Sequence, residues 1–266
     1  MSETYISLEQ QGAVATVWLE RPEVHNAFNA DLIRQLKDCF VALNQRDDVR
    51  VVVLAGRGKS FSAGADLNWM KAAGAASEAE NQADAQNLAD MLYALATLKQ
   101  PTIARVQGAA MGGGMGLAAT CDICIAGDKA MFATSEVRLG LAPSTISPYV
   151  IRAIGERQAQ RYFLTAERIS AAKAAEIGLA HEVVGMEEMD AKVDEIVAAL
   201  LLGGPVAQQA SKQLIALVAK RDNSAELRTQ TAAHIASVRA GQEAKEGLNA
   251  FLEKRAAAWC NSANPT

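Results

Sequence analysis

Three consecutive glycines, Gly112, Gly113 and Gly114, separate a run that reads as a strand, TIARVQG (102–108), from one that reads as a helix, GLAAT (116–120). Glycine reaches backbone conformations that side chains resist, so the triplet predicts a tight strand-to-helix junction. Strand, irregular turn and helix recur in that order along the first half. Residues 4–9 (TYISLE) and 13–19 (AVATVWL) alternate apolar and polar side chains around a Gln-Gly turn, the pattern of a hairpin with one buried face. Phe28, Leu32, Leu36, Phe40 and Leu43 then share one helical stripe, with Asn26 or Asn29 as its cap. VRVVVLAG, closed by Gly56, is short and β-branched, which marks a strand buried on both faces. Helical spacing returns over 84–98 through Leu88, Met91, Leu92, Leu95 and Leu98, ahead of Pro101. DICIAG and MFAT read as further strands, and beyond about residue 145 the chain reads as helical except at HEVV (181–184). The pattern predicts an α/β layered fold with parallel strand pairs and a helical C-terminal part.

Composition removes several functions. A formal charge of -4 leaves no basic excess to neutralise phosphates, which argues against a nucleic-acid partner. MSETYISLEQ lacks the basic head and apolar core of a secretory signal, and apolar runs such as IVAALLL (196–202) fall far short of the roughly 20 residues a bilayer span needs. The expectation is a soluble, cytoplasmic protein with no membrane partner. Cys39, Cys121, Cys124 and Cys260 read as reduced thiols. Cys121-x-x-Cys124 has no second pair and the histidines are widely separated, so these two read as small buried hydrophobes and no metal site is expected.

Familiar catalytic patterns fail one by one. Gly108-x-x-x-Gly112-x-Gly114 formally fits the dinucleotide-binding turn of short-chain dehydrogenases, but that turn belongs after the first strand, here part of a hairpin. None of Tyr5, Tyr93, Tyr149 or Tyr162 has the lysine four residues later that such enzymes use. No Gly-Lys-Ser/Thr ends the glycine run, no Gly-x-Ser-x-Gly occurs, Ser170-x-x-Lys173 reads as a helix cap, and His181-Glu182 lacks a second histidine. Three uses of the glycines remain open: packing, the close approach of a backbone or ligand, and exposure of helical N–H groups that would stabilise an oxyanion.

FSAGADL (61–67), GAAMGGG (108–114), CDI (121–123) and SEVRLGLAP (135–143) occur in order between LERPEVHNAFN (19–29) and EGLNAFLEKRAAAW (246–259). This set resembles the crotonase family, also called the enoyl-CoA hydratase/isomerase family, nearly end to end. The resemblance implies an α/β fold with a crotonase-type ββα spiral core over 1–200 and a helical region, 201–266, through which subunits assemble as a homotrimer or a hexamer of two trimers. It implies an acyl-CoA substrate, with coenzyme A entering as part of the thioester and no prosthetic group. It also implies that the backbone N–H groups of Ala65 and Gly113 form an oxyanion hole, and that main chain at Val24, Ala63, Gly64, Ala65, Asp66 and Leu67 grips coenzyme A. Phe251 and Lys254 would reach a neighbouring subunit's coenzyme A.

Of the two glutamates that work in the family's hydratases, one falls on Glu136, where burial among apolar neighbours would raise its pKa towards that of a general base. The other position holds Gly116, which would leave room beside the substrate's Cβ. FSAGADLNWMKA and VRLGLAPSTISPYVIRAIGERQAQRYFLTAERI are similar to a branch that hydrates 3-substituted glutaconyl-CoA thioesters, methylglutaconyl-CoA or isohexenylglutaconyl-CoA, in leucine and acyclic-terpene degradation. That likeness implies an enoyl-CoA hydratase-type lyase using one glutamate. Arg138, Ser144, Thr145 and Ser147 stand as partners for the distal carboxylate, and Trp69 and Met70 as lining of the acyl pocket. Two further readings stay open: an isomerase that moves one proton, and a catalytically weak acyl-CoA-binding or RNA-binding relative.

Overall fold

The computed structural model describes residues 3–262. The hairpin is β1 (Ile6–Gln11) and β2 (Val14–Leu19), antiparallel with Ile6 opposite Leu19. It is followed by α1 (Ala30–Asn44), β3 (Val51–Gly56), α2 (Leu67–Ala75), α3 (Glu78–Ala96), β4 (Thr102–Val106) and β5 (Ala109–Met111). Then come α4 (Gly113–Thr120), β6 (Ile123–Gly127), β7 (Met131–Ala133), α5 (Ser147–Thr165), β8 (Ile169–Ser170), α6 (Ala171–Glu176) and β9 (Glu182–Val184). The helices α7 (Met189–Leu201), α8 (Pro205–Val218), α9 (Ala225–Ala240), α10 (Gln242–Leu252) and α11 (Ala258–Ser262) complete it.

The main sheet runs β1-β2-β3-β4-β6-β9, parallel from β2 onward, and a smaller sheet runs β5-β7-β8. Successive strand residues face opposite sides, and β3 uses both sides for burial. Val52 and Leu54 join the main core with Leu36, Phe40, Leu92 and Leu117, whereas Val51 and Val53 meet Ile103, Ile125 and the α7 residues Val193 and Val197. Cys121 and Cys124 lie buried in the main core, and burial pushes both thiols up, that of Cys124 to about 12. A thiol held protonated packs as a small apolar group.

Several local details differ from the sequence pattern. Asn29 alone caps α1, its side chain accepting from Leu32 N–H at 2.8 Å. Asn26 instead sits in the left-handed region, fully buried, and donates to the carbonyls of Arg57 at 2.9 Å and Ser60 at 2.8 Å. α3 begins at Glu78, six residues before the helical reading of 84–98, because Ser77 and Glu80 form a reciprocal capping box. Leu98 lies past the end of that helix yet stays buried. Within α5 the helix breaks at Gly155, and Ser170 caps α6 by accepting from Lys173 N–H at 3.3 Å.

α8, α9 and α10 pack on one another. Glu243 of α10 accepts from the Val206 and Ala207 N–H groups at 3.0 and 2.8 Å, closing the N-terminus of α8. These helices leave Val206, Ile215, Ile235, Leu248, Phe251 and Leu252 exposed, as is Leu202 in the turn that precedes α8. Among the described residues, no helix is long and apolar enough to cross a membrane.

Candidate active site

Two loops that leave adjacent strands are fastened side by side. Ser62, after β3, donates its N–H to Ala109 O at 3.0 Å and accepts from Met111 N–H at 2.9 Å, a parallel bridge to β5. Ser62 Oγ donates to Asn26 O at 2.8 Å, so the Asn26 turn locks onto the same point. Gly64 and Gly112 meet across this seam. A Cβ on Gly64 would come within 2.9 Å of Met111 O and 3.8 Å of Gly112 N. Both residues have positive φ, 90° and 49°, so glycine is required by backbone angle and by space.

Each glycine presents the N–H that follows it. Phe28 N–H donates to Gly64 O at 2.6 Å and Asp66 N–H donates to Phe28 O at 2.8 Å, a parallel bridge in which the intervening Ala65 N–H points away from Phe28. Gly113 heads α4, where the first-turn N–H groups have no partner inside the helix. Gly112 N–H is taken by Ala133 O at 2.8 Å, but neither Ala65 N–H nor Gly113 N–H has an acceptor among the described residues. Ala65 is exposed and Gly113 half-buried, beside buried Gly64 and Gly112. Two open donors next to the positive end of a helix can hold an oxygen that gains negative charge.

The Ala133 carbonyl that receives Gly112 N–H ends β7, and Glu136 follows at the head of a 3-10 turn, Glu136–Leu139. That turn is closed by Leu141 N–H donating to Glu136 O at 3.0 Å. Glu136 Oε1 lies 3.0 Å from the point a Cβ on Gly112 would occupy, and Oε2 is buried with no hydrogen-bond partner among the described residues. Burial pushes the carboxyl above its ordinary range, only partly offset by its own backbone N–H. The three groups named from the sequence, Ala65, Gly113 and Glu136, thus belong to neighbouring loops.

Asp66 is committed to the frame. Its carboxylate accepts from Asn68 N–H at 2.8 Å as cap of α2 and pairs with Arg21 at 2.9 Å, while its own N–H and C=O serve Phe28 and Met70. Burial alone would raise this carboxyl, but the Asn68 N–H, Arg21 and the Trp69 N–H outweigh it and hold the group below its usual value. Around the open donors Val24, Ala63 and Leu67 are exposed, and Ala63 N–H donates to His25 O at 2.9 Å. Trp69 Nε1 donates to Asp84 at 2.6 Å, which ties α2 to α3, and the Trp69 ring packs on the main core. Ser147 Oγ donates to Ser144 O at 2.8 Å, and exposed Arg138 makes no side-chain hydrogen bond or ion pair among the described residues. Phe251 stands in the last turn of α10, which packs on α8 and α9, and Lys254 just beyond it, with no hydrogen bond to the loops of Ala65 and Gly113 among the described residues.

The room expected at Gly116 is filled. A Cβ there would lie 2.2 Å from Cγ2 and 2.8 Å from Cβ of Ile146, itself 2% exposed. Nothing in local spacing tied Ile146 to Gly116, because the residues come from different elements. Asn26, Ser62 and Arg21 were likewise not singled out as supports of the site, although a buried polar residue in an apolar context is the mark such supports leave.

The chain as a whole is similar to proteins of known family. Residues 9–262 match the family "Enoyl-CoA hydratase/isomerase". The crotonyl-CoA hydratase of Syntrophomonas wolfei is 34% identical over 97% of this chain and 98% of its own. The short-chain-enoyl-CoA hydratase of Clostridium acetobutylicum is 33% identical over 94% of this chain and 95% of its own. Among solved structures, an enoyl-CoA hydratase from Shewanella pealeana superposes with a TM-score of 0.94 at 40% identity, covering 96% of both chains. With a match along nearly the whole chain, the chain belongs to the enoyl-CoA hydratase/isomerase family.

Proposed function

We propose that the chain is an enoyl-CoA hydratase-type lyase that adds water across the α,β double bond of an acyl-CoA thioester. One observation carries the reading: the Glu136 carboxyl lies against Gly112, which precedes Gly113 and meets Gly64, the residue before Ala65, and neither the Ala65 nor the Gly113 N–H has an acceptor among the described residues. The thioester oxygen accepts from both N–H groups. Ionised Glu136 takes a proton from water as its oxygen bonds to Cβ, and the electron pair of the double bond moves through Cα onto the thioester oxygen. Glu136 then returns the proton to Cα, which restores the carboxylate and the carbonyl. Net, OH joins Cβ and H joins Cα. A preorganised donor pair of this kind contributes about 10²–10³-fold per N–H. Asp66 holds Ala65 in register from behind, while exposed main chain at Val24, Ala63 and Leu67 offers coenzyme A its contact surface.

For the substrate we propose a 3-substituted glutaconyl-CoA, of the methylglutaconyl or isohexenylglutaconyl type. The support is the likeness of residues 61–72 and 137–169 to hydratases of such thioesters, together with Arg138, which has no ion-pair partner among the described residues, on the turn that carries Glu136. Gly116 itself supplies no free volume for the branch, since Ile146 occupies it. We also assign residues 201–266 to subunit assembly, as a trimer or a pair of trimers, on the strength of the apolar side chains that α8 to α10 expose. Four unpaired cysteines suit the cytoplasm.

A second reading, double-bond migration, is favoured by the absence of a carboxylate at position 116. One assay separates the two: linear, 3-methylglutaconyl and longer 3-alkenyl glutaconyl thioesters are offered in ¹⁸O-labelled water. Label at Cβ supports hydration, and a shifted double bond without label replaces it with isomerisation.

A further inference from the structure

We propose that Ile146 is a specificity-determining residue of the acyl site, because its Cγ2 methyl fills the slot that position 116 leaves and so sets the depth of an aliphatic wall beside the substrate's Cβ. The inference rests on the enoyl thioester reading given above. It begins from the fit between two residues: a Cβ at position 116 would meet Ile146 Cγ2 at 2.2 Å and Ile146 Cβ at 2.8 Å, distances that carbon atoms of separate residues do not sustain without bonding. Glycine at 116 and isoleucine at 146 are therefore a matched pair. Neither can change size without the other giving way.

The slot adjoins the reacting groups. Gly116 N–H donates to Gly112 O at 3.0 Å, so Gly116 lies one turn of α4 beyond the glycine that faces Glu136. Ile146 arrives on the same excursion of chain as Glu136, which leaves β7, closes the turn at Leu141 and enters α5. Ile146 O accepts from Tyr149 and Val150 N–H groups, each at 3.1 Å, which anchors it to the first turn of α5. An aliphatic methyl neither orients nor deprotonates water. It packs against a carbon substituent, and its contact is shaped by volume rather than charge. The wall thus leaves proton transfer to Glu136 and makes residue 146 the gauge of bulk at Cβ.

The test combines a stability cycle with a substrate ratio. Gly116→Ala alone lowers Tm by about 3 °C or more through overpacking, and in the Ile146→Ala background the further loss is at most about half of that. Ile146→Ala raises kcat/KM for a 3-alkenyl over a linear enoyl thioester by about tenfold, the scale of one or two methylene-sized spaces. Ile146→Leu, which removes the Cγ2 branch at equal volume, serves should alanine fail to fold, and changes the same ratio by at least about threefold. An unchanged ratio overturns the proposal even when the stabilities couple, because Ile146 is then core packing alone. If the unmodified protein turns over no enoyl thioester, the hydration reading falls separately, and the ratio is read from equilibrium binding of saturated 3-alkyl and linear acyl-CoA.

Discussion

Glu136 Oε1 lies 3.0 Å from the position that a Cβ on Gly112 would take, so the acid and the glycine that turns the chain into α4 share one small space. Gly112→Ala therefore meets both a positive φ and a carboxylate. Such backbone strain costs about 1–3 kcal/mol. We expect kcat/KM to fall at least about tenfold, because the strain displaces Gly113 N–H and Glu136 together. Steady-state kinetics on a variant of native circular dichroism checks this, and full activity would exclude the contact from the mechanism.

Replacing the acid itself separates chemistry from binding. Glu136→Gln keeps the shape of the side chain and loses the transferable proton. Turnover is expected to drop by at least about 10²-fold while the affinity for an acyl-CoA thioester changes little. The pair of measurements is kcat and the dissociation constant of a saturated thioester. Equal losses in both would assign Glu136 to binding.

The pH profiles of activity and stability should run in opposite directions. Burial holds the Glu136 carboxyl above its ordinary range, so kcat/KM rises with pH through that raised ionisation as the proton-accepting form appears. Between the unfolded pKa of about 4.3 and the raised folded value, the native chain binds more protons than the unfolded one. Stability from this group is thus fullest below the window and is lost as pH rises through it. Glu136→Gln cannot titrate, and its Tm should show a flatter pH dependence there; identical slopes would place the ionisation on another group.

Arg21 and Asp66 form an ion pair at 2.9 Å with side chains 10% and 11% exposed, behind Ala65. Removing one partner leaves the other charge buried, at a cost of about 3–5 kcal/mol. Asp66→Asn should lower Tm by roughly 6 °C or more and raise KM as Ala65 N–H loses its register. Arg21→Met combined with Asp66→Asn should recover part of the lost Tm. A double variant as unstable as the sum of the singles would show that the pair is not coupled.

Phe251 is 79% exposed and Leu252 76% at the end of α10. Large apolar side chains left side by side mark a contact surface. Phe251→Asp is expected to shift the mass measured by light scattering from a trimer or hexamer towards smaller species, and to raise KM if this end reaches a neighbour's coenzyme A. An unmodified protein that is monomeric at micromolar concentration would remove the assembly proposal.

Much of the frame was legible before folding was considered. The alternation over AVATVWL, the unbroken apolar run before Gly56 and the stripe from Leu32 to Leu43 each encode burial in their own spacing, and the structure places them as β2, β3 and α1, whereas Phe28, read as the head of that stripe, precedes the Asn29 cap and bridges to Ala65 instead. Less legible were β5 and β8, three and two residues long, which exist because β7 pairs with both from elsewhere in the chain. The irregular look of residues 57–66 hid an ordered loop, since its order comes from Asn26, Arg21 and Ser62 rather than from any local period.

By itself the sequence determined the layered order of strands and helices and the need for glycine at a tight junction, because both follow from which side chains can be buried or bent where they stand. Only the tertiary structure decided that the N–H groups of Ala65 and Gly113 find no acceptor among the described residues, that Glu136 rests on Gly112, and that Ile146 closes the slot at Gly116. Those relations join residues from separate elements, and the close packing that creates them arises when the two sheets and α4 and α5 come together.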